Sequence, residues 1–371
     1  MKIKRPTLII NKKRVLRNIE RMANKAKKDN VRFRPHFKTH QSGEIGSWFR
    51  DSDVTAITVS SVEMALYFRE QGWEDITIAF PVNKLEIEEI NSLCRGSDLG
   101  LLVEAQETVS FLTKELKHKA KLWLKIDTGY HRTGIAWDAA GAAADLIKAI
   151  EKTPLLDFAG LLTHSGHAYD AQSTANIKEI YNSTVSKMNT LRDRLKEKGF
   201  DGMEISIGDT PTCSTADSFK GVDEIRCGNF VFYDVIQLFL GACKEEDIAA
   251  AAACPVVAKH ARRNELVIYG GAVHLSKDYV VNRAGQKIYG LVALPRGSSW
   301  GPSLKDTFVS SLSQEHGVIK TAPGFSSEGS RSIVERVEIG DILMILPAHS
   351  CLTANLLRPF FKISPTRVGG R

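Results

Sequence analysis

The chain has 371 residues, 43% hydrophobic and 25% charged, with a formal net charge of +7. That composition supports a barrel-sized core plus a smaller second one and excludes a disordered chain. The basic excess is interspersed with acidic residues and carries no aromatic-interleaved patch or nucleic-acid-reading motif, so nucleic acid is not the expected partner. Membrane insertion is not expected either: the most apolar run, Ile248 to Ala258, contains Pro255 and is too short to span a bilayer. Met1-Lys2-Ile3-Lys4-Arg5-Pro6 lacks the apolar stretch of a secretory signal. Six scattered cysteines without a CxxC pair read as reduced thiols, so the expectation is a soluble, cytoplasmic protein.

In chain order, Val15, Ile19, Met22 and Ala26 form the apolar stripe of a first helix, leaving its many lysines and arginines on the wet face. The run Arg34-Pro35-His36-Phe37-Lys38-Thr39-His40 follows. As a strand it points Arg34, His36, Lys38 and His40 to one side. If that side faces a closed barrel, neighbouring cations and desolvation both favour a neutral, nucleophilic Lys38 amine, as Schiff-base chemistry with pyridoxal phosphate requires. An exposed edge strand fits the same spacing.

Further strands are expected at Val54 to Val59, Ile76 to Phe80, Leu99 to Val103, Leu122 to Asp127, Phe158 to His164, Glu204 to Gly208 and Glu224 to Phe232. With Phe33 to Lys38 they make eight. The clearest helices between them are Ser61 to Gln71, Ala139 to Glu151 and Thr174 to Lys198. This βα alternation predicts an α/β fold, a (β/α)8 TIM-type barrel, with an open doubly wound sheet as the alternative.

Polar residues gather at the strand ends: Lys38 and His40; Asp127-Thr128-Gly129 with His131 and Arg132; His164, His167 and Tyr169; Gly208-Asp209-Thr210; and Gly228-Asn229. In a barrel these ends form the mouth where active sites lie. His36, Arg132 and His164 are candidate cofactor contacts there. Gly208-Asp209-Thr210-Pro211-Thr212 and Arg226-Cys227-Gly228-Asn229 fall where such barrels bind phosphate, offering glycine backbone, hydroxyls and an amide. Two ordinary tight turns explain the same glycines. Asp209 would have to point away from phosphate or cap a helix.

After Ala258 strands at Leu266 to Tyr269, Lys287 to Ala293, Phe308 to Leu312 and Ile342 to Leu346 predict a C-terminal, mostly-β domain. The domain boundaries expected are 1–20 for an N-terminal strand and helix start, 21–255 for the barrel and 256–371 for the β domain. In Pro347-Ala348-His349-Ser350-Cys351 an extended backbone sets His349 and Cys351 on one side, a nitrogen and sulfur pair suited to zinc or another divalent ion. A buried histidine beside an inert cysteine is the other reading.

Together the segments at 34–40, 127–132, 164–169, 208–212, 226–229 and 349–351, in this order, resemble the fold-type III pyridoxal-phosphate enzymes, in the D-serine dehydratase and D-threonine aldolase branch related to alanine racemase. The resemblance runs over nearly the whole chain. It implies a homodimer with active sites between subunits and a strand around Thr7 to Lys12 joining the β domain. It further implies Lys38 as the Schiff-base lysine, Thr210, Gly228 and Asn229 as phosphate contacts, Tyr169 as a cofactor contact, and His349 with Cys351 as zinc ligands. The activity implied is elimination from a D-3-hydroxy amino acid to give a 2-oxo acid and ammonia, Lys38 removing the Cα proton and zinc assisting departure of the hydroxyl. Retro-aldol cleavage and racemisation are alternatives on the same scaffold. A non-catalytic pyridoxal-phosphate carrier resembles the barrel alone, and the strand-rich C-terminal half counts against it.

Overall fold

The computed structural model describes residues 3–321, 333–358 and 361–364. The chain divides into two compact units, Glu20–Gly228 and Met1–Ile19 with Asn229–Arg371. The division lies ahead of the composition change near Pro255. Residues after Gly228 already belong with the N-terminal segment, whose Asn18 amide donates to the carbonyls of Val231 and Asp247 at 3.3 and 2.8 Å.

Unit Glu20–Gly228 is an all-parallel barrel. Around the ring its strands are Arg32–Phe33, Glu224–Ile225, Glu204–Ile207, Leu156–Leu162, Ala120–Asp127, Asp98–Val103, Asp75–Pro81 and Ala56–Val59. A parallel bridge between His36 and Thr58, with the Thr58 amide donating to the Pro35 carbonyl at 2.9 Å, joins the first strand to the last. Outer helices include Val62–Glu70 and Thr174–Lys196, each started by a serine, Ser61 or Ser173, whose hydroxyl accepts from a first-turn amide.

The first and eighth strands in chain order, Arg32–Phe33 and Glu224–Ile225, are shorter than their sequence predicts. After Phe33, Pro35 removes a backbone donor, and a 3-10 turn at Phe37–Thr39 replaces the strand. The four basic residues therefore do not share a face. Arg34 is buried, Lys38 is exposed, and His40 packs among the rings of Phe37, Phe49 and Phe68. The eighth strand ends at Ile225, and Asn229–Val231 is another 3-10 turn rather than strand.

Arg34 anchors a charge network among the strands. Its Nε donates to Glu224 at 2.6 Å and its guanidinium clamps Asp75 through Nη1 at 2.5 Å and Nη2 at 3.1 Å. The other Glu224 oxygen accepts from Ser206 at 2.6 Å, and Ser206 in turn accepts from Arg226 Nε at 2.7 Å.

In the second unit six antiparallel strands close on themselves, in the order Glu265–Tyr269, His316–Thr321, Ser299–Leu312, Gly290–Arg296, Ile342–Pro347 and Ala250–His260. Thr7–Asn11 adds antiparallel to Ala250–His260 and parallel to Phe361–Ser364. Ala250–His260 lies between Ile342–Pro347 and Thr7–Asn11, and Ala250 to Cys254 are fully buried. Small side chains suit a strand covered on both faces. The alanine run that is too short for a bilayer is thus an interior strand.

Candidate active site and metal ligands

The C-terminal ends of the barrel strands bring the expected residues together. Lys38 sits on its turn with its side chain exposed, and its charge acts on both His36 and His164. His36 Nδ1 accepts from the Lys38 amide at 3.4 Å. His164 Nδ1 lies 2.5 Å from the Gly208 carbonyl, an acceptor only, so this nitrogen carries the proton and Nε2 is the open acceptor. Burial, followed by surrounding cations that include Lys38, drives His36 well below its ordinary value. Burial likewise pushes His164 down to about 3, against the Gly208 hydrogen bond. Both imidazoles are neutral at pH 7.

The expectation that Lys38 is itself desolvated does not hold. The desolvated lysine is Lys125, 5% exposed, pushed down to about 7 by burial and then by the cations of Arg226 and Arg132. Its Nζ donates to the Ile126 carbonyl at 2.9 Å. Lys38 has the solvent access that capture of an aldehyde needs, and Lys125 is a lysine whose hold on its proton burial weakens.

Asp127 shapes the loop after its strand. One carboxylate oxygen accepts from the amides of Gly129, Tyr130 and His131 at 2.8 to 3.1 Å. The Arg132 guanidinium lies 5.0 Å from the centre of the Tyr130 ring, which meets His164 edge-on at 5.8 Å. Tyr169 comes within 6.5 Å of the His164 ring. Gly166 is required here: a Cβ would stand 2.3 Å from the Tyr130 ring.

The suspected phosphate turns are close-packed. A Cβ on Gly228 would stand 2.7 Å from the His36 carbonyl, and one on Gly208 would stand 2.8 Å from the Arg226 backbone. Asp209 is a helix cap turned inward, accepting from the Thr212 amide at 2.7 Å and its hydroxyl at 2.6 Å. Burial raises its carboxyl to about 7 despite those bonds, so much of it is uncharged at neutral pH. Glycine backbone, the buried residues Thr210 and Thr212, and an acid that does not present full charge fit a phosphate group. Asn229 is used differently from expectation. Its side-chain amide donates to Asp234 at 2.6 Å, Ser350 at 3.1 Å and the Cys351 sulfur at 3.4 Å, so that amide is already engaged.

A cavity of about 160 Å³ opens at the opposite, N-terminal strand ends, lined by residues including Arg32, Arg34, Asp75, Lys121 and Glu204. Its cations are ion-paired, Arg32 with Glu204 and Glu224, Arg34 with Asp75 and Glu224, and Lys121 with Asp98. It lacks the convergent lysine and imidazoles of the other end.

In the β unit, His349 is the residue before helix Ser350–Leu356, and Cys351 lies in its first turn. The strand geometry expected for the pair is thus replaced by a strand-to-helix corner that brings ring and thiol within hydrogen-bond reach. His349 Nδ1 lies 2.6 Å from Asp278. Burial alone would lower this imidazole, but the hydrogen bonds to Asp278 and Cys351 prevail and push it up to about 11. Among the described residues no cluster of three His, Cys, Asp or Glu side chains forms a metal cage. The pair nonetheless fits one borderline cation, since Asp278 occupies Nδ1 and leaves Nε2 for a metal, with the Cys351 thiol within hydrogen-bond reach of the ring.

Lys125, Asp234 and Asp278 were not singled out from sequence. Lys125 was findable, because it alternates with the buried Trp123 on one face of Ala120–Asp127. Asp278 was not, standing 71 residues from His349 without a local pattern.

Barrel, lysine and β unit define an enzyme of the alanine racemase type. Residues 10–234 match the alanine racemase N-terminal domain and residues 249–363 the serine dehydratase domain, and the chain belongs to this family. It is 29% identical to D-threo-3-hydroxyaspartate dehydratase of Delftia sp. strain HT23, over 94% of this chain and 91% of that protein. It is also 29% identical to D-serine dehydratase of Dictyostelium discoideum, over 97% and 93%. The solved Delftia structure superposes with a TM-score of 0.86 at 26% identity, covering 95% of this chain and 93% of that one. A metal-free cysteine-to-alanine variant of D-threo-3-hydroxyaspartate dehydratase gives 0.87 at 27%, over 95% and 93%.

Proposed function

We propose that this chain is a pyridoxal-phosphate-dependent lyase that eliminates water from D-3-hydroxy amino acids, with zinc or another divalent ion on His349 and Cys351. The observation that carries the reading is the exposed Lys38 amine beside two imidazoles, His36 and His164, that burial keeps neutral. Likeness to two dehydratases over more than nine-tenths of each protein supports elimination over retro-aldol cleavage.

Lys38 would hold the cofactor aldehyde, with the backbone at Gly228 and Asn229 and the hydroxyl of Thr210 around the phosphate. His36, His164 and Tyr169 would flank the ring. Pyridoxal phosphate supplies an electron sink for charge developing at Cα. Released from the aldehyde, Lys38 Nζ takes the Cα proton as general base. The neutral His164 keeps Nε2 as an acceptor in the same group of residues. Arg132 is a cation for the anionic groups of cofactor and substrate. A metal on His349 and Cys351 supplies a Lewis acid for the β-hydroxyl.

A homodimer is part of the proposal, supported by exposed apolar side chains on the β unit: Phe239, Val273, Tyr279, Val281, Leu352 and Leu356. The free cysteines suit a reducing compartment such as the cytoplasm.

The test is to supply purified, cofactor-loaded protein with D-serine, D-threo-3-hydroxyaspartate, D-threonine and D-alanine. Oxo acid with equimolar ammonia from the hydroxylated substrates is expected. Aldehyde with glycine, or racemised alanine without oxo acid, would replace the proposal with an aldolase or a racemase.

A further inference from the structure

We infer that Asp278 is a positioning residue for the metal ligand His349, fixing the ring so that Nε2 faces the ion. This rests on the reading of His349 and Cys351 as metal ligands. Asp278 Oδ2 lies 2.6 Å from His349 Nδ1. A carboxylate on one ring nitrogen selects the tautomer whose other nitrogen ligates, and restricts rotation of the ring.

The surroundings hold Asp278 in place. Its amide donates to Ser276 Oγ at 3.2 Å, and Ser276 itself adopts a φ of 67°. The neighbouring Leu275 is fully buried, and its carbonyl accepts from Thr353 Oγ1 at 3.2 Å. Thr353 lies on the helix that carries Cys351, so the loop of Asp278 is tied to the element bearing the sulfur ligand. The sulfur has its own partner, the Asn229 amide at 3.4 Å, which is held in turn by Asp234. Each proposed ligand thus has a hydrogen-bonding group of its own. For His349 that group is Asp278, 43% exposed and reachable by substitution without opening the core.

The test measures zinc affinity of the full chain by competition with a chromophoric chelator, for the wild type and for Asp278→Ala, Asp278→Asn and His349→Ala. Asp278→Ala should weaken zinc by about 10- to 100-fold. Asp278→Asn, whose amide oxygen still accepts from Nδ1–H, should recover part of the loss. With Co2+ as probe, thiolate-to-metal absorption should persist in both variants, because Cys351 remains a ligand. Far-UV dichroism and melting checks that each variant folds, and Asp278→Asn serves if Asp278→Ala does not. Wild-type affinity in a folded Asp278 variant overturns the inference while leaving the metal reading intact. Wild type that binds zinc no better than His349→Ala overturns the metal reading, and the inference with it.

Discussion

Arg34 and Glu224 meet at 2.6 Å inside the barrel, with side chains only 3% and 0% exposed. The pair joins Arg34, just past the first strand, to the start of the eighth. Removing the carboxylate strands a buried guanidinium that Asp75 alone then partners, and breaking such a pair typically costs about 3–5 kcal/mol. Glu224→Ala should therefore lower the midpoint of urea unfolding by a corresponding amount. A midpoint equal to wild type would mean that the network adds nothing to closure.

Acid should loosen this barrel early. His40 is 7% exposed, and burial among aromatic rings pushes it down to about 3 from an unfolded value near 6.5. Between those values the unfolded chain binds a proton that the folded chain refuses, so stability is full above pH 6.5 and falls as pH drops toward 3. The slope from this group alone is about 1.4 kcal/mol per pH unit. Glu224 acts in the same direction at lower pH: burial alone would raise it, but Arg34 and Arg32 hold it below its ordinary 4.5. Its contribution is present above 4.5 and is lost as pH falls through its folded value. Denaturant titrations at pH 7.5, 6 and 5 check the sign, and in a folded His40→Phe protein the loss between 6.5 and 5 should shrink.

Cys351→Ala should remove the metal ion, as read by elemental analysis. It should slow elimination from D-serine more than exchange of the Cα proton with solvent deuterium, because the exchange needs only Lys38 while departure of hydroxide needs the Lewis acid. Equal losses in both would argue against a role for the metal at the leaving group.

Gly228 offers a steric test of the phosphate turn. A methyl group there would stand 2.7 Å from the His36 carbonyl, a backbone atom that moves only with the turn carrying Lys38. Gly228→Ala should cost about 1–3 kcal/mol of stability and weaken binding of pyridoxal phosphate, measured by retention of colour on dialysis. Unchanged retention would place the phosphate elsewhere.

Alternating βα periodicity was enough to read the barrel, since most strands are short, largely buried apolar runs with helices between them. The departures fall at the first and eighth strands, which pair with each other. The assigned strands end at Phe33 and Ile225, although the His36 amide still donates to the Cys227 carbonyl at 2.9 Å, and Lys38 and Asn229 follow on 3-10 turns rather than on strand faces. The Lys38 motif was legible as a motif, but its exposure was not: alternation allowed either an inward amine or an exposed edge strand, and Lys38 stands exposed on a 3-10 turn. His349 and Cys351 were correctly paired for the wrong geometric reason. Asp278 and the Asn229–Cys351 contact join residues 71 and 122 apart in sequence, which no local spacing encodes.

The central claim concerns which lysine meets the aldehyde, and two compete at the barrel end. Lys38 is exposed, whereas Lys125 is buried and pushed down to about 7 by that burial. Borohydride reduction of the cofactor-loaded protein, followed by peptide mass mapping, should find the pyridoxyl adduct on Lys38, and Lys38→Ala should be colourless and yield none. An adduct on Lys125, or one that survives in Lys38→Ala, would contradict the account.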